Sequence, residues 1–326
     1  MKNRWKYGII KEEFIFSQPK FVMCHAANII ETSDGLVAVW FAGLREGGHT
    51  CIQMSYYIED HWAFPVTIVE AGNNCCWNPV LCEINGKLIL FYKVGSHPTN
   101  WIGFMKTSKD NGDSWSKAKK LPKGYLGPTK NKPILGEDGL ILIPSSVENN
   151  DRSWSSHVEW ATSNLKMIGM SKLIGLAHNA IQPTILKLGN LFWMLCRSRS
   201  GFITESLSSD GINWAPMTKT SLPNPNSGID AITLQDRRQL LVYNHTTRGR
   251  SSLNVSIYNK GDWHAALILE EGYGNVSYPS VIQSRDGHVH IVYTWNRVGI
   301  KYIEIDLSKI RLTKIKNGKW PGRKKL

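Results

Sequence analysis

The groups in this chain that could do chemistry are thiols, imidazoles, carboxyls and indoles, and their spacing limits what each could do. Six cysteines stand at 24, 51, 75, 76, 82 and 196. That pattern fits neither a zinc ribbon nor a small disulfide framework, so reduced core thiols are the expectation. His288 and His290 would leave one face of a strand following Asp286-Gly287, with no His-x-x-x-His helix to complete a metal site. They read as a surface pair, and neither a metal nor another cofactor is expected. The loop Arg45-Glu46-Gly47-Gly48-His49 offers proton transfer instead. Glu46 could protonate a leaving oxygen if burial raised its pKa to about 6–7, and the imidazole of His49 is the kind of group that titrates in the useful range. Such loop residues are as often simply solvated. Trp77, Trp101 and Trp295 could stack on a sugar ring, with ordinary packing between sheets as the competing use.

Charge narrows the partners. The 326 residues carry 39 Lys and Arg against 26 Asp and Glu, a formal excess of +13 that thickens toward the end. A basic surface attracts anions of several kinds: nucleic acid, phosphorylated headgroups, acidic glycans. No aromatic-basic motif or recognition helix is apparent, so nucleic acid is set aside. The longest apolar stretch, Gly35 to Leu44, is about half of the roughly 20 residues a spanning helix needs. Met1 to Lys6 has no apolar core behind it, so no secretory signal is read. The resulting expectation is a cytoplasmic protein, working in solution or peripherally at the inner membrane.

These groups must be positioned by strands. Short apolar and β-branched runs follow Asp34-Gly35, Asn85-Gly86, Asp138-Gly139, Gly189-Asn190 and Asp286-Gly287, which predicts an antiparallel all-β fold. The turns repeat. Ser108-Lys109-Asp110-Asn111-Gly112-Asp113-Ser114-Trp115 is the fullest unit, and Ser208-Ser209-Asp210-Gly211-Ile212-Asn213-Trp214 is one residue shorter. Echoes join Ser55 to Trp62 and Ser256 to Trp263, and a degenerate unit fits near Ser163. A period of about 50 residues with four strands per unit indicates a β-propeller. In each turn the Asp accepts backbone N–H bonds, Gly takes φ > 0 and Trp packs between sheets, so these residues are structural. With no linker in sight, residues 1–326 read as one domain ending in a basic tail from about 309.

The units resemble the Asp-box repeats, Ser-x-Asp-x-Gly-x-x-Trp, of the sialidase superfamily, and the resemblance runs from about Cys24 to Leu307. It is closest to a sialidase-like bacterial and plant branch that shares Trp77-Asn78-Pro79-Val80-Leu81, Asn131-Lys132-Pro133-Ile134, Pro223 to Asp230 and Ser277-Tyr278-Pro279-Ser280. The resemblance implies a six-bladed propeller of the sialidase type. It also implies a site: three arginines for a carboxylate, a tyrosine nucleophile activated by a glutamate, and an aspartate acid/base. A guanidinium fork matches a carboxylate, and a neutral phenol is a poor nucleophile without a base. Sialidases that use tyrosine depart from the two-carboxylate rule of most glycosidases.

Position by position, the resemblance assigns Tyr278 as nucleophile and Arg197 and Arg250 as carboxylate ligands. Three parts differ. Cys24-His25-Ala26-Ala27 occupies the place of the first arginine, Gln182 stands where the glutamate belongs, and the acid loop holds Arg45, Glu46 and His49 without an aspartate. His25 is then a candidate base or anion ligand. Asp230 is a further catalytic candidate, or else half of a structural ion pair. Gln182, Arg45, Trp77 and Trp295 are candidate substrate contacts. The functional expectation is an exo-glycosidase removing a terminal acidic sugar, sialic acid-like or an ulosonic acid such as Kdo in lipopolysaccharide. The alternatives are a lyase acting on a uronate, and a non-catalytic glycan-binding propeller or subunit of an enzyme complex. Partners follow from that reading: an acidic glycan, with an anionic membrane surface or a partner subunit as further possibilities.

Overall fold

A computed structural model describes residues 3–18, 20–70, 72, 74–136, 138–272 and 274–322. Its strands form six antiparallel sheets that follow one another as the blades of a propeller. Blades 1 to 5 start from inner segments at Met23–Thr32, Cys76–Ile84, Ile134–Leu135, Ala180–Leu188 and Asp230–Thr233. Blade 6 starts at Val276–Gln283, and its fourth strand is Ile9–Phe14 from the chain's own beginning, paired with Gly299–Ile305. The first strand therefore closes the ring on the last blade.

That closure explains the count of turn motifs. The Asp-box hairpin joins a blade's third strand to its fourth, and blade 6 takes its fourth strand from elsewhere. In the fullest unit the Asp110 carboxylate accepts from Ser108 Oγ at 2.6 Å and from the Ser114 N–H at 2.9 Å. In blade 4, Asp210 accepts the N–H groups of Ile212 and Asn213 at 2.8 and 2.7 Å. The glycines abut the preceding blade: a Cβ on Gly211 would lie 2.3 Å from Leu142 Cδ1, and one on Gly112 would lie 3.0 Å from Tyr56 Oη. The box is a turn and an inter-blade spacer at once.

The core lies between blades, where aliphatic and aromatic side chains of adjacent sheets interdigitate. All six cysteines are buried. The His288–His290 pair is not on the surface as expected: His290 is buried between Tyr302 Oη and Ser284 Oγ, each at 2.8 Å, and half-buried His288 meets Glu304 at 2.7 Å. Of the basic stretch after residue 309, Thr313–Lys314 pairs with the outer strand of blade 5, and Ile315 and Trp320 are buried. Arg323, Lys324 and Lys325 lie outside the described residues. No helix among the described residues is long and apolar enough to cross a membrane.

Candidate active site

Four inner strands carry a β-bulge at the same place. The register slips between His25 and Asn28, Trp77 and Val80, Ile181 and Thr184, and Ser277 and Ser280. In each bulge one non-glycine residue has left-handed backbone: Ala26 at φ 53°, Asn78 at 35°, Gln182 at 55° and Tyr278 at 55°. Bulges re-aim side chains, and non-glycine residues in this region cost roughly 1–2 kcal/mol each. Proline follows three of the four, where its missing N–H removes nothing from a ladder already interrupted. Lys130 and Gly228 complete the series, so positions 26, 78, 130, 182, 228 and 278 recur at intervals of 52, 52, 52, 46 and 50 residues. Positions 130, 182, 228 and 278 come together. A Cβ on Gly228 would lie 2.9 Å from Lys130 Cε and 3.3 Å from Tyr278 Cδ2.

Two residues further along each inner segment stands a second ring, which ties the blades together. Asn28 donates to Ser280 at 3.2 Å and accepts from the Leu81 N–H at 2.9 Å. Asp230 belongs to this ring. Its carboxylate accepts from Lys132 at 2.5 Å, from the N–H groups of Ala231 and Val281 at 2.9 Å, and from Thr184 at 3.4 Å. Buried and fully engaged, Asp230 is a clasp across blades 3 to 6, which corrects its reading as a catalytic candidate.

Above the clasp the reactive groups gather. The Tyr278 hydroxyl accepts from Arg197 Nη1 at 2.8 Å and from Gln182 Nε2 at 3.3 Å. The Cζ atoms of Arg197 and Arg250 each lie 5.8 Å from the centre of the Tyr278 ring. Arg197 is largely spent on the protein: Nε and Nη2 donate to Asn226 Oδ1 and O at 2.9 and 2.6 Å, and Nη1 also reaches Gln182 Oε1 at 3.3 Å. Among the described residues Arg250 makes a single 3.2 Å side-chain bond, to Asn226 O, and keeps donors to spare. Burial, with Arg197 and Arg297 nearby, lowers the Arg250 pKa despite support from Tyr278 and Glu46.

His25 lies beneath. Its ring centre is 4.3 Å from that of Tyr278, Nδ1 is 3.0 Å from Thr294 Oγ1, and the buried Nε2 has no hydrogen-bond partner among the described residues. Burial first, then Arg297, Arg250, Arg197 and Lys130, hold its pKa well below 6.5, so the imidazole is neutral. Lys130 is pulled down to about 7 by burial, opposed by Asp230, while its Nζ donates to Asn131 Oδ1 and to the carbonyls of Ile229 and Pro279 at 2.7–2.9 Å.

Residues 34–291 match the family model of the BNR repeat-like domain. The chain belongs to the BNR repeat-like family. No curated protein matches it. Among solved structures, this BNR repeat-like propeller is similar to the Hadza microbial sialidase Hz136, with TM-score 0.74 and 14% identity over 89% of this chain and 67% of the other. It is also similar to the Trypanosoma rangeli sialidase bound to the inhibitor DANA, with TM-score 0.71 and 13% identity over 87% of this chain, and it spans 55% of that protein's length. A Dyadobacter fermentans protein of unknown function aligns over 94% of this chain and 99% of its own, with TM-score 0.76 and 15% identity. At such identities the likeness establishes the fold.

The other sequence candidates divide. Glu46, exposed on its loop, pairs with the guanidinium of Arg297. Arg45 and His49 are exposed on the same loop, where His49 Nδ1 lies 3.4 Å from the Gly72 carbonyl, and no contact joins either to Tyr278. Trp77 is corrected from sugar platform to core: it is 5% exposed, its indole N–H donates to Gly95 O at 2.7 Å, and it packs on Phe41 and Trp101. Trp295 is half-buried, edge-to-face against Phe14. Trp77 thus packs across to blade 1, and Trp295 packs within blade 6.

Two residues escaped the sequence reading of this BNR repeat-like chain. Arg297 sits in the Trp295–Val298 turn of blade 6, and its carbonyl accepts from the Cys24 N–H at 2.8 Å. Its charge acts on both His25 and Arg250. It thus stands beside the segment where the resemblance seeks a first arginine, but enters from 270 residues away in sequence, which no local motif reveals. Glu148 ends the second strand of blade 3, half-buried, where burial raises its pKa against the pull of Arg197, His97 and Arg199. The bulge ring itself was readable: Asn78-Pro79, Gln182-Pro183 and Tyr278-Pro279 fall 104 and 96 residues apart, two blade periods each.

Proposed function

We propose that this protein holds the carboxylate of a terminal acidic sugar at the propeller mouth and cleaves the glycosidic bond beside it. The observation that carries the reading is the placing of Arg197 and Arg250 about the half-buried phenol of Tyr278, with Arg297 close enough for its charge to act on Arg250 and His25. Arg250, with unused donors, and Arg297, exchanging Glu46 for substrate, would fork the carboxylate. Arg197 is fixed against the phenol oxygen, where its N–H stabilises negative charge as that oxygen attacks. Gln182 cannot take the phenolic proton. A neutral base packed against the Tyr278 ring is His25, whose Nε2 is unpartnered among the described residues. Glu46 or Glu148 would protonate the leaving oxygen, and Glu148 has the raised pKa that a general acid requires.

The substrate class is a sialic acid or an ulosonic acid such as Kdo, since both bear a carboxylate on the anomeric carbon. The altered first-arginine segment and acid loop favour the less common sugar. The excess of positive charge would draw the protein to an anionic glycan or membrane surface, an attraction that salt screens.

A second reading, elimination from a uronate, is favoured by one observation: a neutral buried imidazole faces the phenol where a carboxylate base is absent. The two are separated by incubating the protein with sialosides, Kdo glycosides and oligouronates. Hydrolysis releases a saturated reducing sugar, whereas elimination leaves an unsaturated product that absorbs in the ultraviolet. Binding without either product, unchanged in Tyr278→Phe, would leave a glycan-binding propeller.

A further inference from the structure

The hairpin that follows Arg197 carries a second, differently built cation. Arg199 is exposed, and its Cζ lies 3.6 Å from the centre of the Trp154 ring. Its Nη1 donates to the Arg152 carbonyl at 2.6 Å, and its backbone N–H donates to His178 O at 3.2 Å. Trp154 is itself fixed, since its N–H donates to Asn179 Oδ1 at 3.0 Å and it pairs with Glu148 in blade 3. The Cζ of Arg197 lies 5.7 Å from the same ring. One indole therefore adjoins two guanidinium groups, one inside the candidate site and one at its rim.

This rim cation is poorly neutralised. Among the described residues no carboxylate lies within ion-pair distance of Arg199 or of Arg152, which is exposed on the neighbouring hairpin. Glu148 interacts electrostatically with Arg199, but burial favours its uncharged form. A flexible surface arginine would lose side-chain entropy on gripping a ligand. Arg199 has already lost part of it, because the stack and the carbonyl hold its plane while leaving other N–H groups unused.

We infer that Arg199 on Trp154 forms a subsite for an oxyanion on the sugar next to the terminal one, so that the substrate is an acidic oligosaccharide with adjacent charges. This rests on the reading of Arg250 and Arg297 as ligands of the terminal carboxylate. The oxyanion is a carboxylate or a phosphate ester, two sources that a guanidinium recognises through the same paired donors.

The test is calorimetric titration with matched pairs: monosialyl- and disialyl-lactose, Kdo monomer and Kdo dimer, and Kdo glycosides with and without phosphate on the second sugar. Within at least one series the wild type should bind the doubly charged member about tenfold tighter, the worth of one charge-assisted contact. The phosphate arm tells which oxyanion is preferred. Arg199→Ala should bring that ratio toward one, and Arg199→Lys should restore it only in part because the flat stack is lost. Arg250→Ala should weaken both members while preserving the ratio. Melting curves check that the variants remain folded. Singly charged sugars bound with no gain for the second charge would overturn this subsite alone. If no acidic sugar of any series binds, the proposed function falls with it.

Discussion

Two N–H donors converge on the oxygen of Tyr278, and a phenol so placed is better suited to carrying negative charge than to lying idle in a core. Tyr278→Phe keeps the ring and removes that oxygen, so cleavage of acidic-sugar glycosides should fall by about 10²-fold or more while the melting temperature barely moves. Arg250→Ala should weaken acidic-sugar binding by about tenfold and leave neutral sugars unaffected, as titration with each would show. Equal affinity of the wild type for acidic and neutral sugars would count against the site. His25 links the site to stability. The fold holds its pKa below 6.5, so the unfolded chain takes up a proton near that pH and the folded one does not. Its contribution is intact above 6.5 and is lost as pH falls further. Melting temperature should therefore drop on acidification, and drop less steeply in His25→Asn.

At the scale of the elements, the site is a consequence of bulges that turn one side chain per inner strand toward the axis. Gln182 and Tyr278 touch because both occupy this position, in blades 4 and 6. The empty place in blade 5, Gly228, admits Lys130 and the Tyr278 ring, so Gly228→Ala should disturb binding before it disturbs folding. The Asp-box glycine is the converse case. Gly211 has φ 74° and no room for a Cβ against Leu142, so Gly211→Ala should lower stability by roughly 1–3 kcal/mol in urea titration without changing ligand affinity. Turn chemistry of this kind was legible, because Ser, Asp and Gly satisfy one another within seven residues. The left-handed backbone at Gln182 and Tyr278 was not, since it is held by partners in other blades, such as the Ser146 hydroxyl that accepts the Gln182 N–H at 3.2 Å.

For the whole molecule, closure joins residues 9–14 to residues 301–305 by backbone hydrogen bonds. Deleting the first 14 residues would bare a long edge strand and uncouple blade 6. The expected result is a melting temperature several degrees lower, or more, and a stronger tendency to self-associate. Two buried lysines give the molecule a second pH signature. Burial pulls Lys93 and Lys130 from 10.5 down to about 7, with Glu159 and Asp230 opposing. Between those values the unfolded chain binds more protons, so stability should rise from pH 7 toward about pH 9. Lys93→Met and Lys130→Met should each flatten that rise.

Local patterning settled the strands, the Asp boxes and the propeller class, because each depends on residues close in sequence or on motifs of fixed spacing, and the family resemblance those motifs carry brought forward Tyr278, Arg197 and Arg250 as candidates. Tertiary structure decided the rest. Only the closed ring brings Arg297 beside Cys24, hides Trp77 and Asp230 between blades, and lifts Glu148 and Arg199 to the rim. Those outcomes depend on contacts between different strands and blades, far beyond the reach of a local motif, and burial and electrostatic field exist only once the blades have met.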